Sequence, residues 1–237
     1  MSTNTEGIFI TFEGGEGAGK TTHIAFLAEA LREQGYEVVC TRDPGDTAIG
    51  EQLRNIVLNP ENEEMSDMCE LFVYEAARAQ LVNQNIKPSL EKGMVVLCDR
   101  FTDSTFAYQA RGRGIDADIV RQVNEIVCQG IKPQRTILMV SPDTAEGLYR
   151  ATKETGADRL EAEGVDFHSR VNAAFEELAQ AEPDRVRMVY SAEKKSVTAK
   201  RVFYALADIF PWMNDLLANP EFFERLDGKR DHHERRL

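Results

Sequence analysis

Ile8-Phe9-Ile10-Thr11-Phe12-Glu13-Gly14-Gly15-Glu16-Gly17-Ala18-Gly19-Lys20-Thr21-Thr22 runs from an apolar strand pattern through a glycine-rich turn into a helical pattern. Residues 14–21 match G-x-x-x-x-G-K-[ST] in full, and they do so between a strand and a helix, the context this pattern requires. Glycines let successive backbone N–H groups turn inward, and the start of a helix adds its positive dipole end. A nucleoside triphosphate is therefore expected on Gly14, Gly15, Glu16, Gly17, Ala18, Gly19, Lys20, Thr21 and Thr22. Lys20 is expected to reach the β- and γ-phosphates, and the Thr21 hydroxyl to ligate Mg²⁺.

Outward from this loop, short apolar runs alternate with longer helical patterns, the signature of a parallel sheet wrapped by helices. Strands are expected at Ile8 to Phe12, Val38 to Thr41, Met94 to Cys98, Thr136 to Val140 and Val186 to Tyr190. The unbroken apolar run of Met94 to Cys98 fits a strand covered on both faces. Helices are expected at Thr21 to Gln34, Ile49 to Leu58, Cys69 to Leu90, Ile119 to Cys128, Asp166 to Ala181 and Ser196 to Leu217. The charged stretch from Lys153 to Gly164 carries two glycines and few large apolar groups, and reads as a flap. Residues 218–237 read as an appended tail in which Pro220 to Phe223 can dock and the charged end frays.

Hydrophobic residues make up 42% of the 237, enough for a full core in one α/β domain. The net charge of −12 argues against nucleic acid or an anionic membrane as the main partner, since both attract basic surfaces. Cys40, Cys69, Cys98 and Cys128 form no C-x-x-C pair and read as small buried hydrophobes in a reducing compartment. Residues 1–6 lack the basic and apolar regions of a signal peptide, and no run is long and apolar enough to span a membrane. A soluble, cytoplasmic protein is expected.

Asp99 ends the third strand run, at the edge where doubly wound sheets bind ligands, and a carboxylate there can hold Mg²⁺ directly or through water. A loop of this kind alone serves switches, ATPases and kinases equally; a second anion-binding set discriminates among them. Arg42 and Arg100 each lie just past a strand end, with Arg54 and Arg78 on the helices between. Guanidinium groups grip phosphate through paired donors. Tyr74 and Arg78, four residues apart, share one helix face, a pairing that suits a planar base.

Phe12-Glu13-Gly14 into the glycine loop, then Thr41-Arg42-Asp43-Pro44-Gly45, Ala76-Ala77-Arg78, Asp99-Arg100-Phe101, Ser104-Thr105, Ala107-Tyr108-Gln109 and Asp158-Arg159-Leu160-Glu161 together resemble the thymidylate kinases over residues 8–210. The resemblance implies the P-loop kinase architecture: a five-stranded parallel sheet flanked by helices, with a lid near residues 150–164 and a domain reaching residue 217. It also implies phosphoryl transfer from ATP to dTMP, and a homodimer packed through helices. Arg42, Arg54 and Arg100 would hold the dTMP phosphate, in an element that includes Asp43. Tyr74 would stack on the base and Arg78 read it, with Ser104, Thr105 and Gln109 at the thymine. Tyr108 would lie against the sugar and Glu16 near its 3′-hydroxyl. The acceptor phosphate is already an anionic nucleophile, so no general base is needed; Lys20, Asp99 and Arg100 carry the catalysis. His23, inside the first helix, reads as structural.

Some positions depart from the family pattern. Asp43 stands for the usual glutamate, Asp46 for a second glycine, Glu75 for a small or aromatic residue, and Ala110 for a glycine. The glycine loop lacks the arginine some members carry there. The flap offers Arg150, Lys153 and Arg159, of which Arg150 or Lys153 is expected to reach the transferred phosphoryl group. The changes near the base leave dUMP or another 5-substituted deoxyuridylate as an alternative acceptor. A switch is disfavoured by the lack of an N-K-x-D pattern, and a silent ATP-binding regulator by the presence of Lys20, Asp99 and Arg100.

Overall fold

The computed structural model describes residues 7–141, 149 and 158–228. Five parallel strands, β1 (Ile8–Glu13), β2 (Val38–Arg42), β3 (Val95–Asp99), β4 (Arg135–Val140) and β5 (Val186–Tyr190), lie in the order β2-β3-β1-β4-β5. All five expected strands are present, each within about two residues of its expected ends. The register sets Phe12 beside Asp99 and Arg42 beside Asp99, so the loops that follow β1, β2 and β3 leave the sheet at one level. The central position of β1 explains its sequence. Ile10 and Phe12 face one apolar layer, Phe9 faces another, and all three are fully buried.

On one face, helices α1 (Lys20–Glu33) and α8 (Lys195–Leu206) cover the sheet through Ile24, Leu27, Leu31, Val202 and Phe203. On the other lie α2 (Ala48–Leu58), α3 (Asp67–Leu81), α6 (Ala117–Cys128) and α7 (Val165–Ala181). Thr47 and Ser66 cap α2 and α3 by accepting from the Gly50 and Cys69 amides.

Three local features differ from expectation. The helix read as Cys69 to Leu90 is α3, a π-helical turn at Val82–Ile86, and α4 (Lys87–Glu91). Pro88 has no amide hydrogen, and its ring crowds the carbonyl four residues earlier, so the regular ladder widens ahead of it. The helix read as Ser196 to Leu217 stops at Leu206 and resumes as α9 (Met213–Leu217), with Pro211 in the break. A short helix α5 (Thr102–Thr105), continued by a π-helical stretch at Phe106–Gly112, was not expected at all. Its start is stabilised from another element: the Glu13 carboxylate accepts from the amides of Phe101 (2.7 Å) and Ser104 (3.3 Å).

Cys98 and Cys128 are buried as expected and Cys40 is partly so, but Cys69 is exposed at the start of α3. The expected flap divides. Residues 150–157 fall outside the described set, whereas Asp158–Gly164 is packed in place, with the Arg159 amide donating to the Leu58 carbonyl and Leu160 buried. The C-terminal segment also docks. Phe223 on α10 (Pro220–Glu224) is fully buried against Phe26, Phe203 and Phe222. Asp227 accepts from the Ser196 amide (2.9 Å) and hydroxyl (2.7 Å), bonding the first turn of α8. Residues 218–228 therefore complete a core layer. Phe223→Ala is expected to cost about 3–5 kcal/mol of unfolding free energy in a urea titration, as for other buried phenylalanines; an unchanged midpoint would contradict that docking.

Candidate active site

Gly14 leaves β1 with φ 125°, and a side chain there would put its Cβ 2.1 Å from the Met139 carbonyl oxygen of β4. Only glycine allows the loop to pass that close. Gly17 and Gly19 continue the turn with positive φ. No side chain caps the start of α1, so its first amides are available to a bound anion. Lys20 is buried with its Nζ donating back to the carbonyls of Gly14 (3.1 Å) and Gly15 (3.0 Å), which holds the ammonium inside the loop. Burial and then the Arg100 charge lower its pKa, against the pull of Asp99 and Glu16. Thr22 follows in the first turn of α1. His23 donates from Nδ1 to the Gly19 carbonyl (2.8 Å) and faces the Lys195 carbonyl with Nε2, bracing the loop against α8 as a structural residue.

Thr21 Oγ1 donates to Asp99 Oδ2 at 3.1 Å, so the two residues assigned to a metal meet at the mouth of the loop. Among the described residues no cluster of three or more His, Cys, Asp or Glu side chains forms a cage. One hydroxyl and one carboxylate beside a phosphate cradle fit Mg²⁺, which keeps several waters and takes most remaining ligands from phosphate oxygens.

Beside this loop lies a slot lined by Glu16, Asp43, Arg54, Tyr74, Arg78, Arg100, Ser104, Thr105, Tyr108 and Gln109, all expected from the sequence. Asp158, Leu160 and Glu161 line it too. Arg100, at the end of β3, has a left-handed backbone (φ 67°) secured by its amide bond to the Phe12 carbonyl (2.9 Å). Its guanidinium pairs with Glu16, donates to Ser104 Oγ (3.2 Å) and lies 5.2 Å from the Tyr108 ring centroid. Tyr108 donates its hydroxyl to Glu16 (2.9 Å). Burial alone would raise the Glu16 pKa, but the charges of Arg100 and Lys20 and the Tyr108 bond outweigh it and hold the carboxyl down at about 2. Burial pushes the Tyr74 hydroxyl pKa up, so its ring enters the slot as a neutral apolar face.

Arg54 donates to the Pro44 carbonyl (2.8 Å) and reaches the slot. Arg42 does not line it. Its Nη2 is held by both oxygens of Glu51 (2.9 and 3.0 Å), with Asp46 also close, which turns the side chain along α2. Arg159, assigned to the lid, donates to the Val57 carbonyl (3.0 Å) and pairs with Glu70. Arg150 and Lys153 lie outside the described residues.

Three buried acidic side chains that organise the slot had been given no role in it from the sequence, although Glu75 stood out as a departure from the family pattern. Glu13 binds the Ser104 hydroxyl (2.5 Å), and burial together with the Asp103 charge raises its pKa. Glu70, fully buried, accepts from Gln109 (2.8 Å), Arg113 (3.0 Å) and Arg159. Glu75 bonds Arg78 and Thr105. Glu70 was open to detection: positions 70, 74 and 78 form one stripe at four-residue spacing on α3, so a carboxylate there shares the helix face of the expected ring and guanidinium and can hold a slot residue such as Gln109.

A glycine-loop phosphate cradle, a metal-suited pair and an arginine-lined slot, all at the carboxyl edge of a parallel sheet, define a P-loop phosphotransferase that takes a second, anionic substrate. A family model described as thymidylate kinase matches residues 12–202. A thymidylate kinase from Pelobacter propionicus is 48% identical over 185 residues, covering 76% of this chain and 84% of that protein. One from a Synechococcus species (strain JA-2-3B'a(2-13)) is 44% identical over 204 residues, covering 86% and 96%. The crystal structure of thymidylate kinase from Ehrlichia chaffeensis superposes with a TM-score of 0.70 at 32% identity, covering 84% of this chain and 98% of that one. The chain belongs to the thymidylate kinase family.

The Glu16–Arg100 pair carries a pH signature. The Glu16 carboxyl sits below its ordinary value of 4.5, so its contribution to stability is present above that value and lost as pH falls toward 2. Glu16→Gln is expected to lower the melting temperature at pH 7, with the gap to wild type closing as pH drops through that window. A gap that stays constant in thermal melts would contradict the pairing.

Proposed function

We propose that the chain transfers the γ-phosphoryl group of ATP to dTMP, giving dTDP and ADP, a step toward dTTP, in the cytoplasm. The observation that carries this reading is that Glu16 belongs to both cavities. It borders the space beside Gly14 and Gly15 and also the arginine-lined slot, so donor and acceptor would meet across one residue. That closeness makes direct in-line transfer possible. Positioning the reacting groups and neutralising the transferred charge then supply the catalysis, with no proton to remove from the acceptor.

In this reading the amides of residues 14–19 and Lys20 cradle the triphosphate, and Arg54 and Arg100 hold the acceptor phosphate. Arg42 joins them only by leaving Glu51. Thr21 and Asp99 would hold Mg²⁺, which would supply neutralisation of phosphate charge. Tyr74 stacks on the thymine, Arg78 donates to a base carbonyl, and Ser104, Thr105 and Gln109 complete its surround. Tyr108 lies against the sugar, where it would crowd a 2′-hydroxyl. A dUMP kinase and a silent ATP-binding regulator gain no support from the relatives, which are named thymidylate kinases. In a panel of dTMP, dUMP, dCMP, dGMP and UMP, ADP formation is expected to be fastest with dTMP. Lys20→Ala is expected to lower kcat by about a hundredfold or more. No ADP with dTMP, or full activity without Lys20, would overturn the reading.

The homodimer implied by the family resemblance has support on the surface. Ile49 and Ile56 on α2, Met68 and Phe72 on α3, and Ile119 and Ile126 on α6 are large apolar side chains left 40–76% exposed. Each pair recurs at four- or seven-residue spacing, so each helix presents one apolar stripe, and α3 packs against both α2 and α6. A second copy burying these stripes is expected to make the protein sediment as a dimer, and Phe72→Asp to shift it to monomer. A wild-type monomer at micromolar concentration would overturn this.

A further inference from the structure

Arg78 is buried to 2% exposure, yet its guanidinium does not lie loose in the slot. Its Nε donates to Asp43 Oδ2 at 2.6 Å from the loop after β2. Its Nη1 donates to Glu75, one turn earlier on α3, and to Asn124 Oδ1 at 2.7 Å from α6. Its Nη2 donates to the Phe101 carbonyl at 3.3 Å, and the group lies 5.4 Å from the Phe101 ring centroid. A guanidinium has five N–H donors in one plane. One on Nε, two on Nη1 and one on Nη2 are occupied, which leaves a single Nη2 hydrogen. Arg78 borders the acceptor slot, so that hydrogen is the donor it can offer a ligand there.

Glu75 has a second link to the same slot. The oxygen that takes the Arg78 bond, Oε1, also faces Thr105 Oγ1 at 3.4 Å. Thr105, on α5, lines the slot as Arg78 does. One carboxylate oxygen therefore sets the angle of the arginine and the direction of the threonine hydroxyl together. Glu75 itself does not line the slot, so it has no direct hold on the acceptor.

We propose that Glu75, aided by Asn124, is the positioning residue of the acceptor base: it locks Arg78 so that one N–H faces a base carbonyl, and it orients the Thr105 hydroxyl beside it. This rests on the reading of Arg78 as the base-reading arginine. A purely stabilising role is a poor account of the arrangement. A buried ion pair is seldom worth more than well-packed apolar side chains of the same volume, because desolvation offsets the attraction. Here two buried carboxylates, Asp43 and Glu75, surround one cation, and Asp43 Oδ1 and Glu75 Oε2 have no hydrogen-bond partner among the described residues. Burial raises the pKa of both carboxyls. Such a cluster is costly for stability and effective for orientation, which is what single-donor recognition needs. A site built to donate to a carbonyl rejects an amino group in the same place, because two donors then face each other.

Steady-state kinetics on Glu75→Ala, Glu75→Gln, Asn124→Ala and Arg78→Ala separate these readings. Removing a supporting partner of a ligand-contacting group commonly costs tenfold or more. Glu75→Ala is expected to raise KM for dTMP about tenfold and to narrow the preference for dTMP over dCMP, with kcat and KM for ATP within about twofold of wild type. Glu75→Gln keeps an acceptor oxygen and is expected to restore most of the loss. Asn124→Ala, at a half-buried site, is expected to raise KM for dTMP by about threefold, and it decides the matter if Glu75→Ala does not fold. KM for dTMP unmoved in the soluble variants, or KM for both substrates rising together, would overturn the proposal. Arg78→Ala isolates the underlying assumption. If it leaves KM for dTMP at the wild-type value, the base-reading role has failed; if it raises KM while Glu75→Ala and Asn124→Ala do not, only the positioning role has failed.

Discussion

The ion pair between Glu16 and Arg100 is the contact on which the arrangement of both cavities depends. Glu16 belongs to the glycine loop after β1 and Arg100 to the turn after β3, so the pair ties the phosphate cradle to the end of the neighbouring strand. Arg100 is held there by a left-handed backbone, a hydrogen bond from its amide to the Phe12 carbonyl, a hydrogen bond from its guanidinium to the Ser104 hydroxyl and the ring of Tyr108 beside it. An arginine so restrained has little conformational entropy left to lose when a phosphate arrives. Its carboxylate partner neutralises it in the free protein, so under the proposed function an acceptor phosphate would have to compete with Glu16 for the guanidinium.

The same logic repeats around the slot and accounts for an anion site on a chain with a net charge of −12. Arg42 is paired with Glu51, Arg78 with Asp43 and Glu75, and Arg113 and Arg159 with Glu70. Arg42 is partly exposed, but a cation as buried as Arg78 would be costly without a partner, and each partner also fixes a direction. Arg54 is the exception. Among the described residues it donates only to a neutral carbonyl, so it brings the least compensated positive charge to the slot. Local arrangement, not overall composition, sets the sign of the field that a nucleotide meets.

Much of this was legible in the chain. The apolar run before Gly14, the glycines themselves and Lys20-Thr21 determined a strand, a phosphate-binding turn and a helix start, because each depends on residues adjacent in sequence. The remaining strands announced themselves by apolar runs, and Tyr74 and Arg78 by helical spacing. Helix α5 was not legible. Thr102-Asp103-Ser104-Thr105 has little helix propensity, and its start is held by Glu13, about ninety residues earlier in the chain. The breaks at Pro88 and Pro211 were visible as prolines but outweighed by the helical patterns around them.

What the sequence alone determined was the chemistry available: a triphosphate cradle, a metal-suited hydroxyl and carboxylate, and a set of arginines that the motif order placed at one sheet edge. What only the tertiary structure decided was how those arginines divide their bonds. It sent Arg42 to Glu51 and Arg159 to Glu70, and it enclosed Arg78 between Asp43, Glu75 and Asn124. The reason is that a guanidinium on a flexible stem can reach acceptors in several directions. Which carboxylates come within hydrogen-bond range is set by how β2, α3 and α6 pack together, and no local pattern in the chain encodes that distance.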